Sequence, residues 1–248
     1  MPRYFLEVAY KGTAYKGFQV QDNANTIQGE MERALAILLK HPVQLTGSSR
    51  TDAGVHALQN YFHFDVAGLL SEGILYNLNA ILPPDIAAVK LLAVPSDAHC
   101  RFHALSRTYR YYIYNRKSPF QDDRAYYFPF KLDITKLQAS AEMVRSQTDF
   151  TSFAKRNAQV FTHNCIIRDS FWATEKDMLV YEVTSNRFLR GMVKGLVGTM
   201  LRVGRGTVSP NGFREIMEAK DCSKADFSAP SHGLFLVAVS YQNALFEG

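Results

Sequence analysis

The chain has 248 residues, 47% of them hydrophobic, which suffices for one large domain or two small intimate ones at about 150 residues per domain. Lys and Arg number 28 against 23 acidic residues, and the formal charge of +5 suits a polyanion partner without demanding one. Cys100, Cys165 and Cys222 are odd in number and widely spaced, so they offer neither a disulfide framework nor a CxxC pair. The opening residues lack a signal peptide's apolar stretch, and no apolar run approaches the roughly 18 residues of a membrane span, so a soluble cytoplasmic protein is expected.

Residues 4–10 (YFLEVAY) read as a strand, followed by a loop rich in Gly, Gln and Asn through about residue 25. Thr26 suits the N-cap of a helix through residue 39, with Ile27, Met31, Leu35 and Leu38 at helical spacing. Residues 43–46 read as a short strand and 47–56 as a loop. Residues 59–66 alternate as a strand with Tyr61, His63 and Asp65 on one side. A helix over 69–78, a Leu-Pro-Pro-Asp turn and a strand over 86–94 follow. A second pass of similar parts begins near residue 107: a strand over 109–115, a helix over 134–146, and strands over 166–174 and 178–184 joined by Glu-Lys-Asp. A helix over 188–203, a Gly-rich turn, a short helix over 210–219 and a strand over 234–241 complete the chain. Two successive halves of this kind predict an α+β fold with a largely antiparallel sheet, the halves being residues 1–104 and 105–248.

Three constellations carry candidate chemistry. The first is GSSRTDAGVH at 47–56, where small residues surround one Arg and one Asp and allow the backbone close to a ligand. Arg50 beside Asp52 would hold the carboxylate ionised, and an ionised carboxylate in a partly dry cleft is a competent nucleophile. The same residues equally suit a turn closed by an Asx-type hydrogen bond with a surface ion pair. The second is RFHALSRTYRYYIYNRK at 101–117, which interleaves basic and aromatic side chains. In a strand Tyr109, Tyr111 and Ile113 point one way and Arg110, Tyr112 and Tyr114 the other. Such aromatics either stack bases or fill the sheet's core. The third is SNRFLRGMVKGLVG at 185–198, an apolar helical stripe edged by Arg187, Arg190 and Lys194 at spacings of three and four. Its cations are either a solvated face or charges aimed at phosphate or at Asp52, and Gly191, Gly195 and Gly198 point to close packing.

His99, Cys100 and His103 superficially resemble a metal site, but neither an HExxH signature nor a second ligand cluster supports it. P-loop, GxGxxG and GxSxG motifs do not occur.

The loop GSSRTDAGVHA (47–57) closely resembles the active-site loop of the tRNA pseudouridine synthase A family. The resemblance extends through YKGTAYKGFQVQ (10–21), TIQGEME (26–32), LNAILPPDI (78–86) and FHALSRTYRY (102–111). It continues through DFTSF (149–153), FLRGMVKGLVG (188–198) and HGLFL (232–236), in the family's order and over nearly the whole chain. By that resemblance Asp52 matches the catalytic aspartate and Tyr109 the tyrosine that stacks on the target base. Arg50 matches the arginine that helps extrude the uridine, and Lys194 the basic residue that pairs with the aspartate. Departures are mild: Lys11 replaces a frequent Asp, Phe18 a frequent Trp and Ser49 a frequent Gly, and Lys194 stands where Arg is commoner. A lysine is a point charge rather than a planar fork, so it does not pair bidentately.

The resemblance implies two α/β halves sharing an extended antiparallel sheet, a homodimer whose basic clefts grip tRNA, and uridines 38, 39 and 40 of the anticodon arm as targets. It implies an isomerase that needs neither cofactor nor metal, and for such an enzyme the basic Arg187 and Arg190 are expected to contact phosphates. Two readings from other classes stand beside it: a non-catalytic RNA-binding or RNA-chaperone protein, and a metal-dependent hydrolase using His99 and His103.

Overall fold

The computed structural model describes residues 1–71, 73–156 and 160–246. The chain divides into two compact units, residues 1–105 with 236–248, and residues 106–235.

In the first unit β1 (Arg3–Tyr10) lies between two antiparallel partners, β3 (His56–Asp65) and β4 (Ile86–Val94). The short β2 (Thr46–Gly47) pairs with β3, and the chain's last strand, β9 (Leu234–Ser240), follows β3 in the strand order. Alternation is obeyed on β3, because Tyr61 and His63 both meet the ring of Phe5 while Phe62 stacks on Phe18 at 4.7 Å. Both faces are covered, so Asn60 through Phe64 are all buried and the strand carries an apolar run. The helix α1 (Ile27–Leu39) starts as expected, with the Thr26 hydroxyl accepting from the Gly29 N–H, and buries Ile27, Met31, Ala34 and Leu35.

Two expectations in this unit shift. The strand foreseen over 43–46 is reduced to Thr46–Gly47, although Val43 and Leu45 are buried. The helix foreseen over 69–78 is α2 (Ile74–Ile81). Gly68 sits at φ 82° and turns the chain, leaving Leu69 exposed, and Glu72 lies outside the described residues. The helix runs on past 78 because the Asn79 amide pairs with both the N–H and the C=O of Ala88 at 2.8 Å, tying it to β4.

In the second unit β5 (Ser106–Tyr114), β8 (Met178–Ser185) and β7 (Ile167–Glu175) run antiparallel, and β6 (Tyr126–Tyr127) pairs in parallel with β5. Tyr109, Tyr111 and Ile113 are buried on one face of β5, and Arg110 on the other bonds Glu182 opposite it at 2.6 Å. Helix α3 (Ile134–Ser146) has the foreseen bounds, capped by Asp133, and α5 (Pro210–Glu218) is capped by Ser209 with Pro in its first turn.

The helix foreseen from 188 begins four residues later, as α4 (Met192–Gly204), because Gly191 at φ 74° interrupts the helical path. Residues 188–191 are therefore a turn, and the helical spacing that aligned Arg187 and Arg190 with Lys194 does not apply. Gly195 and Gly198 do serve close packing. A Cβ at 195 would lie 2.8 Å from the Phe227 ring, and one at 198 would collide with the carbonyl oxygen of Asp226.

The elements and their mainly antiparallel pairing make the α+β fold anticipated from the sequence. Among the described residues no helix is long and apolar enough to cross a membrane. Gly198→Ala is expected to destabilise the protein by at least the upper part of about 1–3 kcal/mol, since the obstacle is backbone, as thermal unfolding would read. An unchanged melting temperature would mean that the segment at Asp226 yields freely.

Candidate active site

The loop between β2 and β3 is held from beneath. Ser48 N–H donates to the Tyr61 carbonyl at 2.7 Å, anchoring its start to β3. Further on, the side chain of Asn60, fully buried on β3, donates to the Ser49 carbonyl at 2.8 Å and to the Tyr10 hydroxyl at 3.1 Å. The Tyr10 and Thr51 hydroxyls lie 2.8 Å apart, and the Thr51 carbonyl accepts from Phe18 N–H at 3.1 Å. After Asp52 the chain turns tightly, with Val55 N–H donating to the Asp52 carbonyl and Gly54 at φ 79°. His56 then accepts from Gly12 N–H at 3.2 Å. Gly12 is required there, because a Cβ would collide with the Val55 carbonyl oxygen.

Burial follows from these bonds. Ser48, Ser49 and Thr51 point into the protein and are buried, Asp52 is half-buried, and Arg50 is exposed. A carboxylate thus sits at the surface of a loop whose flanking residues are fixed by the strand below. That arrangement suits a nucleophile and equally suits a ligand-gripping turn.

In the second unit Tyr109 is buried on β5, and its ring meets the edge of Phe188 at 5.0 Å and 83°. Phe188 belongs to the turn that enters α4. That turn is tied down by Asn186, whose Oδ1 accepts from Ile166 N–H and whose carbonyl accepts from Arg107. Arg187 is half-buried there and Arg190 exposed, the Arg190 carbonyl accepting from Lys155 N–H at 2.9 Å. One turn into α4, the half-buried Lys194 donates from Nζ to the Ser231 hydroxyl at 3.3 Å. Tyr109, Phe188, Arg187, Arg190 and Lys194 thus come from one strand and the adjoining turn and helix of this unit, whereas Arg50 and Asp52 lie on the first unit's loop.

A family model described as tRNA pseudouridine synthase matches residues 7–103 and 147–242. The chain belongs to the tRNA pseudouridine synthase family. Its relatives in the family include the tRNA pseudouridine synthase A of Parabacteroides distasonis, 44% identical over 99% of this chain and 98% of the relative. That of Bacteroides fragilis is 42% identical over 99% and 98%, and that of Bacillus subtilis 36% identical over 95% and 98%.

Within the family frame, three side chains were absent from the sequence reading as site residues: Asn60, Tyr10 and Ser231. The one local signal for Asn60 was a single amide in the otherwise aromatic run NYFHF, where a buried polar group demands partners. Nothing local pointed to Ser231, since it lies 37 residues from Lys194.

One group of described residues has the proximity to hold a metal ion: His63, His99 and Cys100, whose ligand atoms lie within 4.8 Å of one another. It shares only part of the His99, Cys100, His103 pattern, for His103 instead accepts from His99 N–H at 3.1 Å. The donor set argues for a structural knot. His63 Nδ1 accepts from Cys100 N–H at 3.4 Å, His99 Nδ1 accepts from Arg101 N–H at 3.1 Å, and the Cys100 thiol donates to the Thr46 carbonyl at 3.1 Å. Each imidazole thus has its Nδ1 engaged by a backbone N–H, and the Cys100 sulfur lies 3.2 Å from His63 Nδ1, so ligation through Nδ1 would break a backbone bond. Arg3 adds a positive charge nearby.

Burial, reinforced by His99 and Arg3, pushes His63 down to about 4. The fold thus favours the neutral ring, so its contribution to stability is complete above the unfolded value of 6.5 and is lost as pH falls toward 4. Thermal unfolding between pH 7 and pH 4 should show less acid sensitivity in His63→Asn, whose amide oxygen replaces Nδ1 as acceptor. Identical acid limbs would assign the loss to other groups.

Proposed function

We propose that this chain isomerises uridine to pseudouridine at positions 38, 39 and 40 of the tRNA anticodon arm, with Asp52 as the nucleophile. The observation that carries the reading is the Asp52 loop, a lone half-buried carboxylate among small residues fixed by buried hydrogen bonds, on a chain of this family. Names of the relatives give the reaction and the class of RNA, and the resemblance of the loop supports the role of the aspartate.

The reaction breaks the N1–C1′ bond, turns the uracil and rejoins it through C5. C5 loses its hydrogen as a proton and N1 ends with one, so the balance is an isomerisation without oxidant, reductant or acceptor. Asp52 attacks either C1′ of the ribose or C6 of the base. The target must first leave the stack, at a cost of a few kcal/mol that contacts to the flipped nucleotide must offset. In this reading the exposed Arg50 assists extrusion, Tyr109 contacts the base and relays the C5 proton, and Lys194 is the cation that partners the aspartate. Arg187 and Arg190 contact phosphates. A homodimer in the cytoplasm completes the proposal, supported by resemblance alone, and a monomeric mass in light scattering of the active protein would remove the dimer from it.

The test is release of tritium from tRNA carrying 5-tritiated uridine. Asp52→Asn keeps the shape and one oxygen but removes the charge, so it should release none while tRNA affinity stays within a few-fold and the circular dichroism spectrum is unchanged. Turnover at a tenth of the wild-type rate or more would end the nucleophile assignment. In the same assay Tyr109→Phe, which keeps the stacking face and loses the hydroxyl, should be slow with tRNA binding retained, whereas Tyr109→Leu removes both face and hydroxyl. Full activity of the Phe variant would leave Tyr109 the stacking role only.

A further inference from the structure

Resting on the Asp52 reading, we propose that Asn60, acting directly on Ser49 and through Tyr10 on Thr51, is a positioning residue for catalysis: one buried amide holds the residues on both sides of Arg50 and so fixes the approach of Asp52.

The clamp has a defined direction. The Asn60 Oδ1 accepts from Tyr61 N–H at 2.9 Å, which turns the NH2 group toward the loop. One hydrogen goes to the Ser49 carbonyl at 2.8 Å and the other to the Tyr10 oxygen at 3.1 Å. Rotating the amide by half a turn would face its oxygen to the Ser49 carbonyl and its NH2 to an N–H, so a single orientation satisfies every partner. With its oxygen accepting from Asn60, the Tyr10 hydroxyl also shares a hydrogen bond with Thr51 Oγ1 at 2.8 Å. Burial raises that hydroxyl to about 12, so it keeps its hydrogen throughout the neutral range. Ser49 is therefore held directly and Thr51 through one intermediary, and Asp52 is the next residue along the chain.

Two features give the clamp a role beyond stability. Asn60 is fully buried and Tyr10, Ser49 and Thr51 nearly so, which leaves the amide's two donors no solvent to turn to. The loop itself is Gly, Ser, Thr, Ala and Gly around Arg50 and Asp52, and its one apolar side chain between Gly47 and Val55, the methyl of Ala53, is exposed. Its backbone is located by hydrogen bonds, and a misplacement of about 1 Å at a reacting group costs as much as 100-fold in rate.

The deciding variant is Tyr10→Phe, which deletes one oxygen and retains the ring against Phe18. Asn60→Leu removes the whole clamp and Thr51→Val its far end. Single-turnover rates of tritium release at saturating tRNA are measured beside tRNA dissociation constants and melting temperatures. The expected result is a rate lowered by about 10- to 100-fold in Tyr10→Phe, with the dissociation constant within two-fold and the protein fully folded at the assay temperature. Thr51→Val combined with Tyr10→Phe should be little slower than either alone, because both cut the same chain. A wild-type rate in Tyr10→Phe overturns the proposal. So does a loss that merely tracks the unfolded fraction, the outcome of a purely structural role. Asp52→Asn run alongside separates the two claims: an inactive Asp52→Asn with a fully active Tyr10→Phe removes the clamp and leaves the nucleophile, whereas an active Asp52→Asn removes the reading beneath both.

Discussion

A loop made of small residues has no core of its own, and the first unit is organised around that constraint. Between Gly47 and Val55 the one apolar side chain is the exposed methyl of Ala53, so the backbone must be fixed by polar bonds made where water is excluded. Those bonds in turn need β3, whose Tyr61 carbonyl and Asn60 amide meet the loop where it leaves its pairing with β2. The stretch 10–21 has the same purpose. Its Phe18 N–H bonds the loop at Thr51, its Phe18 carbonyl bonds α1 at Gln28, and its ring lies on Phe62. Gly47 must be Gly for that ring to lie there, because a Cβ would run into it. Helix, strand and loop are thus one cooperative arrangement that leaves Arg50 exposed and the Asp52 carboxylate half-buried at the loop's outer side.

The second unit meets a related problem by close backbone approach. The segment at 226–231 lies directly on α4, with Asp226 N–H donating to the Thr199 hydroxyl at 2.9 Å and the Thr199 hydroxyl donating to the Gly195 carbonyl at 2.7 Å. Without side chains at 195 and 198 the helix admits this contact, and the contact carries Ser231 to the Lys194 ammonium. Each glycine costs about 1 kcal/mol of helix propensity, and burial of eleven of the helix's thirteen residues outweighs that. Tyr111 extends the same logic, donating to the Pro230 carbonyl at 2.7 Å with Gly233 pressed against its ring.

Much of the fold was legible in the sequence, and the failures share a cause. Helix α3 carries its own start signal in Asp133 and its apolar period, so its bounds could be read locally. The start of α4 could not, because the apolar line from Phe188 continues helical spacing straight through Gly191, and only the backbone reveals φ 74°. Gly68 misled the placement of α2 in the same way. Glycine is silent in a hydrophobic pattern, yet it decides where a helix begins. In the site, the loop with Arg50 and Asp52 stood out in the sequence by composition and by family likeness. Asn60 and Tyr10 did not, since they lie 8 and 42 residues from Asp52 and are joined to its loop only by strand pairing.

On the aromatic strand, burial alone does not separate two tyrosines whose surroundings differ. Tyr109 and Tyr111 share a face of β5, and both are buried. Tyr111 is fully enclosed, its hydroxyl committed to a backbone carbonyl, which leaves it a purely structural part. Tyr109 keeps 8% of its surface, and its ring meets the edge of Phe188 on the turn that also carries Arg187 and Arg190. The perpendicular packing of the two rings fixes the orientation of the Tyr109 ring. The two tyrosines therefore differ in exposure and in the rings they meet. A sequence pattern of alternating tyrosines presents the two as equals. Cross-strand register, which sets Tyr109 against Val183 and Tyr111 against Tyr181, is what separates them.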